Sequence, residues 1–213
     1  MIQAESFQIP TAAVARRLLG VVNPAMREGV LNDINNAKQS GRRTELFLLI
    51  DSPGGSPEIG IELYAKLTEA CNSGVLALTT CNIKRTESSA ICIYCAGQIR
   101  WCGKRTSFLL HEAAFDPRLN DRWTASKIED VLIPQLRAEI PNLQRFTKRF
   151  VEIIALATGM PHSNVAQLLA EETTYRCSDA IRDGLSHRVG MTELLDLDTV
   201  KVYGHPYDDL ESR

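Results

Sequence analysis

Short apolar runs alternate along the chain with segments in which apolar residues recur at helical spacing. The run 46–50 (LFLLI) is uninterrupted and of strand length, which is typical of a strand buried on both faces. After Ser56, which is the expected N-cap, apolar residues recur on one helical face until residues 72–74 (NSG) end the helix. This alternation predicts an α/β layer structure for a single domain of residues 1–213.

The same pattern predicts the remaining elements. Residues 125–156 have helical periodicity, but Pro134 and Pro141 should kink or break that helix into two or three pieces. With the polar segment before it, this stretch predicts a protruding insertion at about residues 113–157. Strands are expected at 14–22, 75–80 and 108–110, helices at 24–37, 88–96, 161–171 and 179–183, a loop at 81–87, and a strand with a polar tail in the last part of the chain.

Composition excludes several classes of function. Lys and Arg total 24 against 26 Asp and Glu, so the net charge is −2 and no nucleic-acid or anionic-membrane partner is expected. No apolar run approaches the roughly 20 residues of a membrane span, and the first ten residues do not have the pattern of a secretory signal. The six cysteines lie mostly in apolar surroundings, so we expect reduced, buried thiols in a cytoplasmic protein.

Three features of the sequence suggest chemistry. Gly54 and Gly55 form a turn after the buried strand, where backbone N–H groups without side chains could approach a substrate carbonyl. Ser88 lies where a polar segment meets an apolar helix, so its hydroxyl should stand over the helix N-terminus. His111 ends an apolar strand, and a neutral imidazole is the usual base for an alcohol nucleophile. Each feature alone also fits a structural role: a tight turn, an N-cap or a packed histidine.

Taken together, these segments resemble the Clp protease family. LFLLIDSPGG and the helix after it resemble that family's strand and glycine turn, and SSAICIYCAG resembles the segment that carries its nucleophile. GKRTSFLLHEA resembles the segment that carries its histidine, and ATGMPHSNVAQLLAEE a later helix. The resemblance covers roughly residues 14–190.

The resemblance implies a serine endopeptidase that forms an acyl-enzyme on polypeptide substrates. It implies Ser88 as nucleophile, His111 as general base, and the backbone N–H groups of Gly55 and Ser89 as oxyanion donors. The implied fold is a crotonase-like β-α spiral with a protruding helical handle. Subunits of this family associate into rings fed by an ATP-driven AAA+ unfoldase, and the chemistry needs neither a metal nor an organic cofactor.

The chain departs from the family pattern at three places. Residues 84–87 (KRTE) stand where the family has small residues, in a stretch that is also longer than usual. Ser89 follows Ser88, so a slip of one position would make Ser89 reactive. The position of the third triad member differs with the residue from which it is counted: it is Glu172 when counted back from Gly184, and Thr173 when counted from Tyr175. A carboxylate at this position would stabilise the imidazolium better than a hydroxyl.

Other functions remain open at this point. The departures also fit a catalytically weak ring subunit with a role in assembly or regulation. The related crotonase spiral suggests an acyl-CoA hydratase or isomerase, which would bind a CoA thioester. Cys92-x-x-Cys95 could be a redox pair or half of a zinc site, but the apolar residues between and around these cysteines favour simple burial.

Overall fold

The computed structural model describes residues 9–10, 12–114, 124–190 and 200–203. Eight strands of these residues form one sheet, in the order β6-β5-β3-β2-β1-β8, with β4 paired to β3 and to β7. All pairs are parallel except β5 with β6. The strands are β1 (Val14–Leu19), β2 (Thr44–Ser52), β3 (Leu76–Glu87), β4 (Ile99–Gly103), β5 (Ser107–Leu110), β6 (Thr173–Arg176), β7 (Arg188–Gly190) and β8 (Lys201–Tyr203).

The apolar run 46–50 forms the middle of β2, between β1 and β3. Leu48 and Ile50 are fully buried in the main core, in which the helices pack against the sheet. Leu49 points to the opposite face, where it packs with Cys81 and Trp101. Both faces of this strand are therefore covered by apolar groups, as the unbroken run predicts.

The helices follow the strands at the predicted places. Ser56 caps α2 by accepting a hydrogen bond from the Ile59 N–H at 3.3 Å, and Asn23 caps α1 by accepting from the Met26 N–H at 2.9 Å. The helices are α1 (Pro24–Ser40), α2 (Pro57–Asn72), α3 (Ser89–Cys95), α4 (Ala125–Lys127), α5 (Ile133–Thr158), α6 (His162–Ala170) and α7 (Cys177–Arg182), with a π-helical turn at Ile128–Leu132 between α4 and α5.

The handle differs from its prediction. The helical run continues from residue 125 to 158 and passes through Pro141, although a π-helical turn stands directly before Pro134. Proline removes one helical hydrogen bond, but Pro141 and Arg137, whose carbonyl loses its partner, are both exposed, so water can satisfy that carbonyl. The far end of α5 is anchored by Phe150 and its buried neighbours. The prediction of a break at Pro141 is therefore wrong, whereas the run does change from α4 through the π-helical turn to α5 just before Pro134.

The loop predicted at residues 81–87 is also wrong, because β3 continues through it to Glu87. The ladder with β2 steps from Ile50 opposite Asn82 to Ser52 opposite Thr86, so β3 holds extra residues that bulge out of the ladder. The buried side chain of Asn82 fixes this bulge: its Nδ2 donates to the Ser107 carbonyl at 2.8 Å and its Oδ1 accepts from the Lys84 N–H at 3.2 Å. No local sequence signal marks this contact with β5.

Candidate active site

Three candidate segments leave the sheet at the same edge. β2, β3 and β5 are parallel neighbours, and their carboxyl ends lead into the Gly54-Gly55 turn, Ser88 and His111 respectively. The Ser88 N–H donates to the Leu109 carbonyl at 3.0 Å, which fixes Ser88 beside the end of β5. The parallel topology therefore gathers residues that are far apart in sequence.

Ser88 forms a strained turn between β3 and α3. Its backbone has φ 52° and ψ −128°, which is unusual for a residue other than glycine. Its carbonyl accepts from the Ile91 N–H at 3.0 Å, but its side chain makes no capping hydrogen bond to the helix. The simple N-cap interpretation of Ser88 is therefore wrong. Ser88 is half-buried and directly precedes the first turn of α3.

Ser89 is placed very differently from Ser88. Its side chain is fully buried, and its Oγ has no hydrogen-bond partner in the part of the chain that the structure describes. It packs on α2, where a Cβ added at Gly60 would lie 2.9 Å from Ser89 Cβ and 2.6 Å from the Ser89 carbonyl oxygen. A hydroxyl in this position cannot contact a substrate, whereas the backbone N–H of Ser89 lies in the first turn of α3, where helical N–H groups lack intrahelical partners.

The glycine turn packs directly on Ser88. A Cβ added at Gly54 would lie 2.5 Å from Ser88 Cβ and 3.1 Å from Ser88 Oγ, so only glycine allows this approach. Val22 holds the other side of the turn: its N–H donates to the Gly54 carbonyl at 2.7 Å and its carbonyl accepts from the Ser56 N–H at 2.9 Å. The N–H of Gly55 takes no part in either bond.

His111 is half-exposed at the end of β5, and its Nδ1 lies 2.6 Å from the Glu112 carbonyl oxygen. Because a carbonyl can only accept, Nδ1 must carry the ring proton, and Nε2 is left with a free lone pair. Within the described ranges, His111 makes no hydrogen bond to Ser88, Glu172 or Thr173. The structure thus brings Ser88 and the glycine turn into contact and places His111 on the next strand end.

Both candidates for the third triad member lie at the start of β6. The antiparallel register pairs Leu110 with Thr173, so one further step along the two strands brings Glu172 opposite His111. Thr173 is half-buried, while Glu172 is exposed and has a left-handed backbone with φ 50°. The strand register therefore places Glu172 opposite His111 and Thr173 opposite the residue before it.

Two of the charged residues before Ser88, Lys84 and Arg85, pair with Asp51 on the neighbouring strand β2. Asp51 Oδ1 lies 3.7 Å from Arg85 Nε, and Asp51 Oδ2 lies 4.0 Å from Lys84 Nζ. Glu87 pairs with Leu109 in the ladder between β3 and β5. The two basic side chains thus associate with the carboxylate that precedes the glycine turn.

A cleft of about 370 Å³ is lined by Glu112, the residue after His111 in the sequence. It lies between the segment after β5 and the middle of α5, and the Ala113 N–H donates to Thr147 Oγ1 at 3.0 Å to hold the two walls together. Both apolar and polar side chains line this cleft. Such a mixture is usual in a site that binds a peptide, whose backbone is polar and whose side chains can be apolar. The lining residues are Glu112, Ala113, Ile140, Leu143, Gln144, Thr147 and Lys148.

Cys92 and Cys95 lie inside α3 and are buried. Burial raises the pKa of the Cys95 thiol to about 12 and raises the pKa of the Cys92 thiol well above its ordinary value, so both thiols stay protonated at neutral pH. Among the described residues, no group of three or more His, Cys, Asp or Glu side chains is arranged to hold a metal ion. The burial interpretation of this CxxC sequence is the one that the structure supports.

Comparison with known proteins adds the family. The family model described as Clp protease matches residues 12–193. The chain belongs to the Clp protease family. Among 673 matching chains of known structure is a point mutant of ClpP1 from Listeria monocytogenes, with a TM-score of 0.65 and 16% sequence identity over 82% of this chain and 90% of that one. This likeness confirms the predicted ClpP-like α/β fold.

No curated protein sequence matches the chain. The family assignment nevertheless covers the glycine turn, Ser88, His111 and the start of β6 in one continuous match. Membership supports a serine peptidase at the level of the family. Within the described residues, no helix combines the length and the apolar character that crossing a membrane requires.

Proposed function

We propose that this chain is a serine endopeptidase in which Ser88 attacks the substrate carbonyl and His111 accepts its proton. The observation that carries the proposal is the strained Ser88 turn, which holds the hydroxyl against Gly54 at the edge where His111 ends the neighbouring strand. Such strain is retained where surrounding contacts enforce it, and it clusters at functional sites. Family membership supports the same reaction class.

The reaction proceeds through an acyl-enzyme. Ser88 Oγ bonds to the carbonyl carbon while its proton passes to Nε2 of His111, and the resulting imidazolium then protonates the leaving amine. A water molecule, deprotonated by the same nitrogen, attacks the ester, and Ser88 regains its proton as the carboxylic acid leaves. Both steps need a lone pair on Nε2, which the neutral ring has when Nδ1 carries the proton, whether Nδ1 faces the Glu112 carbonyl, as in the structure, or the proposed orienting group.

The N–H groups of Gly55 and Ser89 are the proposed oxyanion donors. Gly55 N–H is not used in the bonds to Val22, and Ser89 N–H belongs to the first turn of α3. Donors that are fixed before the reaction stabilise the developing negative charge without reorganising, and one such donor is worth about 100-fold or more in kcat.

The test compares two adjacent serines. A serine-directed fluorophosphonate should label the wild type at Ser88, and Ser88→Ala should lose both labelling and peptide hydrolysis. Ser89→Ala is the matched control, because it removes a buried, unpartnered hydroxyl and leaves the backbone N–H in place. Labelling that persists in folded Ser88→Ala, or a wild type that is never labelled, would contradict the proposal.

Glu172 is the proposed orienting group for His111, through a rotation of the imidazole away from the Glu112 carbonyl. Glu172→Gln should then lower kcat by about 100-fold or more, because a neutral amide stabilises the imidazolium poorly. Thr173→Val should change kcat far less. The reverse order of the two variants would assign the role to Thr173.

A second candidate function rests on the contact between Nδ1 of His111 and the Glu112 carbonyl. In the structure His111 is bonded to the backbone of its own neighbour rather than to a carboxylate, as expected of a catalytically weak ring subunit with an assembly or regulatory role. Equal background hydrolysis by wild type and Ser88→Ala would favour this function. Binding of a CoA thioester would instead favour an acyl-CoA hydratase, which family membership disfavours.

The proposal includes assembly. We expect polypeptide substrates, self-association into rings and delivery of substrate by an AAA+ unfoldase, in keeping with the family. Sedimentation of the full chain tests the self-association directly, since a ring has several times the mass of the 23.7 kDa subunit.

A further inference from the structure

Two cysteines outside the candidate active site lie in direct contact. Cys102 is in β4 and Cys177 is the first residue of α7, and their Sγ atoms are 2.8 Å apart although the residues are 75 positions apart in sequence. All six cysteines lie in the described part of the chain and are free thiols, and this is the one sulfur–sulfur hydrogen bond among them.

The two thiols differ in their exposure to solvent. Cys102 is 0% exposed, whereas Cys177 is 6% exposed. Cys102 Sγ also approaches the carbonyls of Cys177 at 4.0 Å and Arg188 at 3.8 Å, so it is enclosed by β7 and by the start of α7. Cys177 is thus the more exposed residue of the pair and Cys102 is in contact with it, so we expect a small reagent to react at Cys177 first.

We propose that Cys102 and Cys177 form a redox pair that a hydroperoxide converts into an intramolecular disulfide. The inference is independent of the proposed peptidase activity, because neither cysteine belongs to that site. It assigns a modification site that joins β4 to the segment following β6.

The reaction has two balanced steps. The Cys177 thiolate attacks one oxygen of hydrogen peroxide, which breaks the O–O bond and gives a sulfenic acid and hydroxide. Cys102 sulfur then attacks the Cys177 sulfur, the S–S bond forms, the S–OH bond breaks, and the thiol proton leaves with the hydroxyl as water. In total, two thiols and one peroxide give one disulfide and two water molecules.

The hydrogen bond between the thiols supports this order of events. The contact with Cys102 lowers the pKa of the Cys177 thiol, while the same contact and burial raise the pKa of Cys102. The more accessible sulfur is thus also the one with more thiolate character, as expected of the residue that reacts first.

The disulfide would fix a segment next to the candidate active site. Cys177 directly follows β6, and Thr173 of β6 pairs with Leu110, the residue before His111. The closed loop from residue 102 to 177 contains β5, His111 and α5. A cross-link over such a long loop restricts the unfolded chain and stabilises the fold.

The direct test is mass spectrometry of the full chain. The folded wild type is treated with a small excess of hydrogen peroxide, its remaining thiols are alkylated after denaturation, and the digest is analysed. We expect a cross-linked pair of peptides containing Cys102 and Cys177, lighter by two hydrogen atoms than the sum of the separate peptides. The midpoint of thermal unfolding should rise by several degrees and return to its initial value after reduction.

The controls separate this pair from general oxidation. Cys71 is 8% exposed but has no sulfur partner among the described residues, so its thiol should remain open to alkylation after peroxide treatment. The Cys71→Ser variant should form the cross-link between Cys102 and Cys177 as the wild type does. Cys102→Ser should leave Cys177 as sulfenic or sulfinic acid with no rise in the midpoint. The proposal would be overturned if peroxide-treated wild type gave separate, alkylated peptides of Cys102 and Cys177, or if Cys177 were over-oxidised without a cross-link. This result is read on the wild type, so it does not depend on whether any variant folds.

Discussion

Replacing Gly54 by alanine tests the contact on which the candidate active site depends. Gly54 has φ +89°, and an added Cβ would lie 2.5 Å from Ser88 Cβ and 2.8 Å from the Glu87 carbonyl oxygen. Gly74 is the matched control, since its φ is +77° and nothing lies within 4 Å of its added Cβ. Both glycines have a similar positive φ, so a difference between the variants reports the contacts of the Gly54 position with Ser88 and the Glu87 carbonyl.

The magnitude follows from the two geometries. Alanine in a left-handed conformation costs about 1–2 kcal/mol, and this cost applies to Gly54→Ala and Gly74→Ala alike. At Gly54, heavy atoms must also separate to about 3.5 Å, which requires a displacement of about 1 Å that the Ser88 turn and the glycine turn share. Overpacking of this kind costs about 1–3 kcal/mol more, and misplacing a reacting group by about 1 Å costs about 100-fold in rate.

The assay measures stability and reactivity on the same samples. Urea unfolding gives the free energy of each variant, and the rate of fluorophosphonate labelling gives the reactivity of Ser88. Gly74→Ala should lose stability and keep the wild-type labelling rate, whereas Gly54→Ala should lose more stability and be labelled about 100-fold more slowly. A folded Gly54→Ala that is labelled as fast as Gly74→Ala would refute the proposed packing of the turn on Ser88.

Two further predictions concern polar groups that join β4 to the segment between α7 and β7: the buried side chain of Arg100 and the exposed residue His187. The Arg100 guanidinium is buried and donates to the carbonyls of Gly97, Ala157, Gly184 and Leu185. Arg100→Met should leave these acceptors unpaired and lower the free energy of unfolding, measured by urea titration, by about 3 kcal/mol or more. A loss below about 1 kcal/mol would contradict this prediction. Desolvation and the nearby cations hold the pKa of His187 below its ordinary value, and its Nδ1 accepts from the Arg100 N–H at 3.2 Å. The unfolded chain binds a proton on His187 more readily than the folded chain does, so the free energy of unfolding should fall as the pH drops from about 7.5 through the pKa of the unfolded state, near 6.5. His187→Gln should flatten this fall in unfolding experiments at a series of pH values.

Much of the fold could be predicted because its signals are local. The apolar run of β2, the Ser56 cap and the stop after α2 each depend on residues within a few positions, and the structure confirms all three. The extent of β3 could not be predicted, because Asn82 is held by the distant Ser107 carbonyl. Pro141 misled the prediction because helix continuity depends on solvent and on packing of the far end of α5.

The candidate residues of the site can be identified from local sequence patterns: a serine before an apolar helix, a histidine at a strand end and two adjacent glycines. Three further facts appear only in the folded molecule: the side chain of Ser89 is buried, Nδ1 of His111 lies against the Glu112 carbonyl, and Cys102 touches Cys177. The physical reason is the range of the interactions. Local sequence fixes backbone conformation and capping, whereas burial and contacts depend on how distant strands and helices pack together.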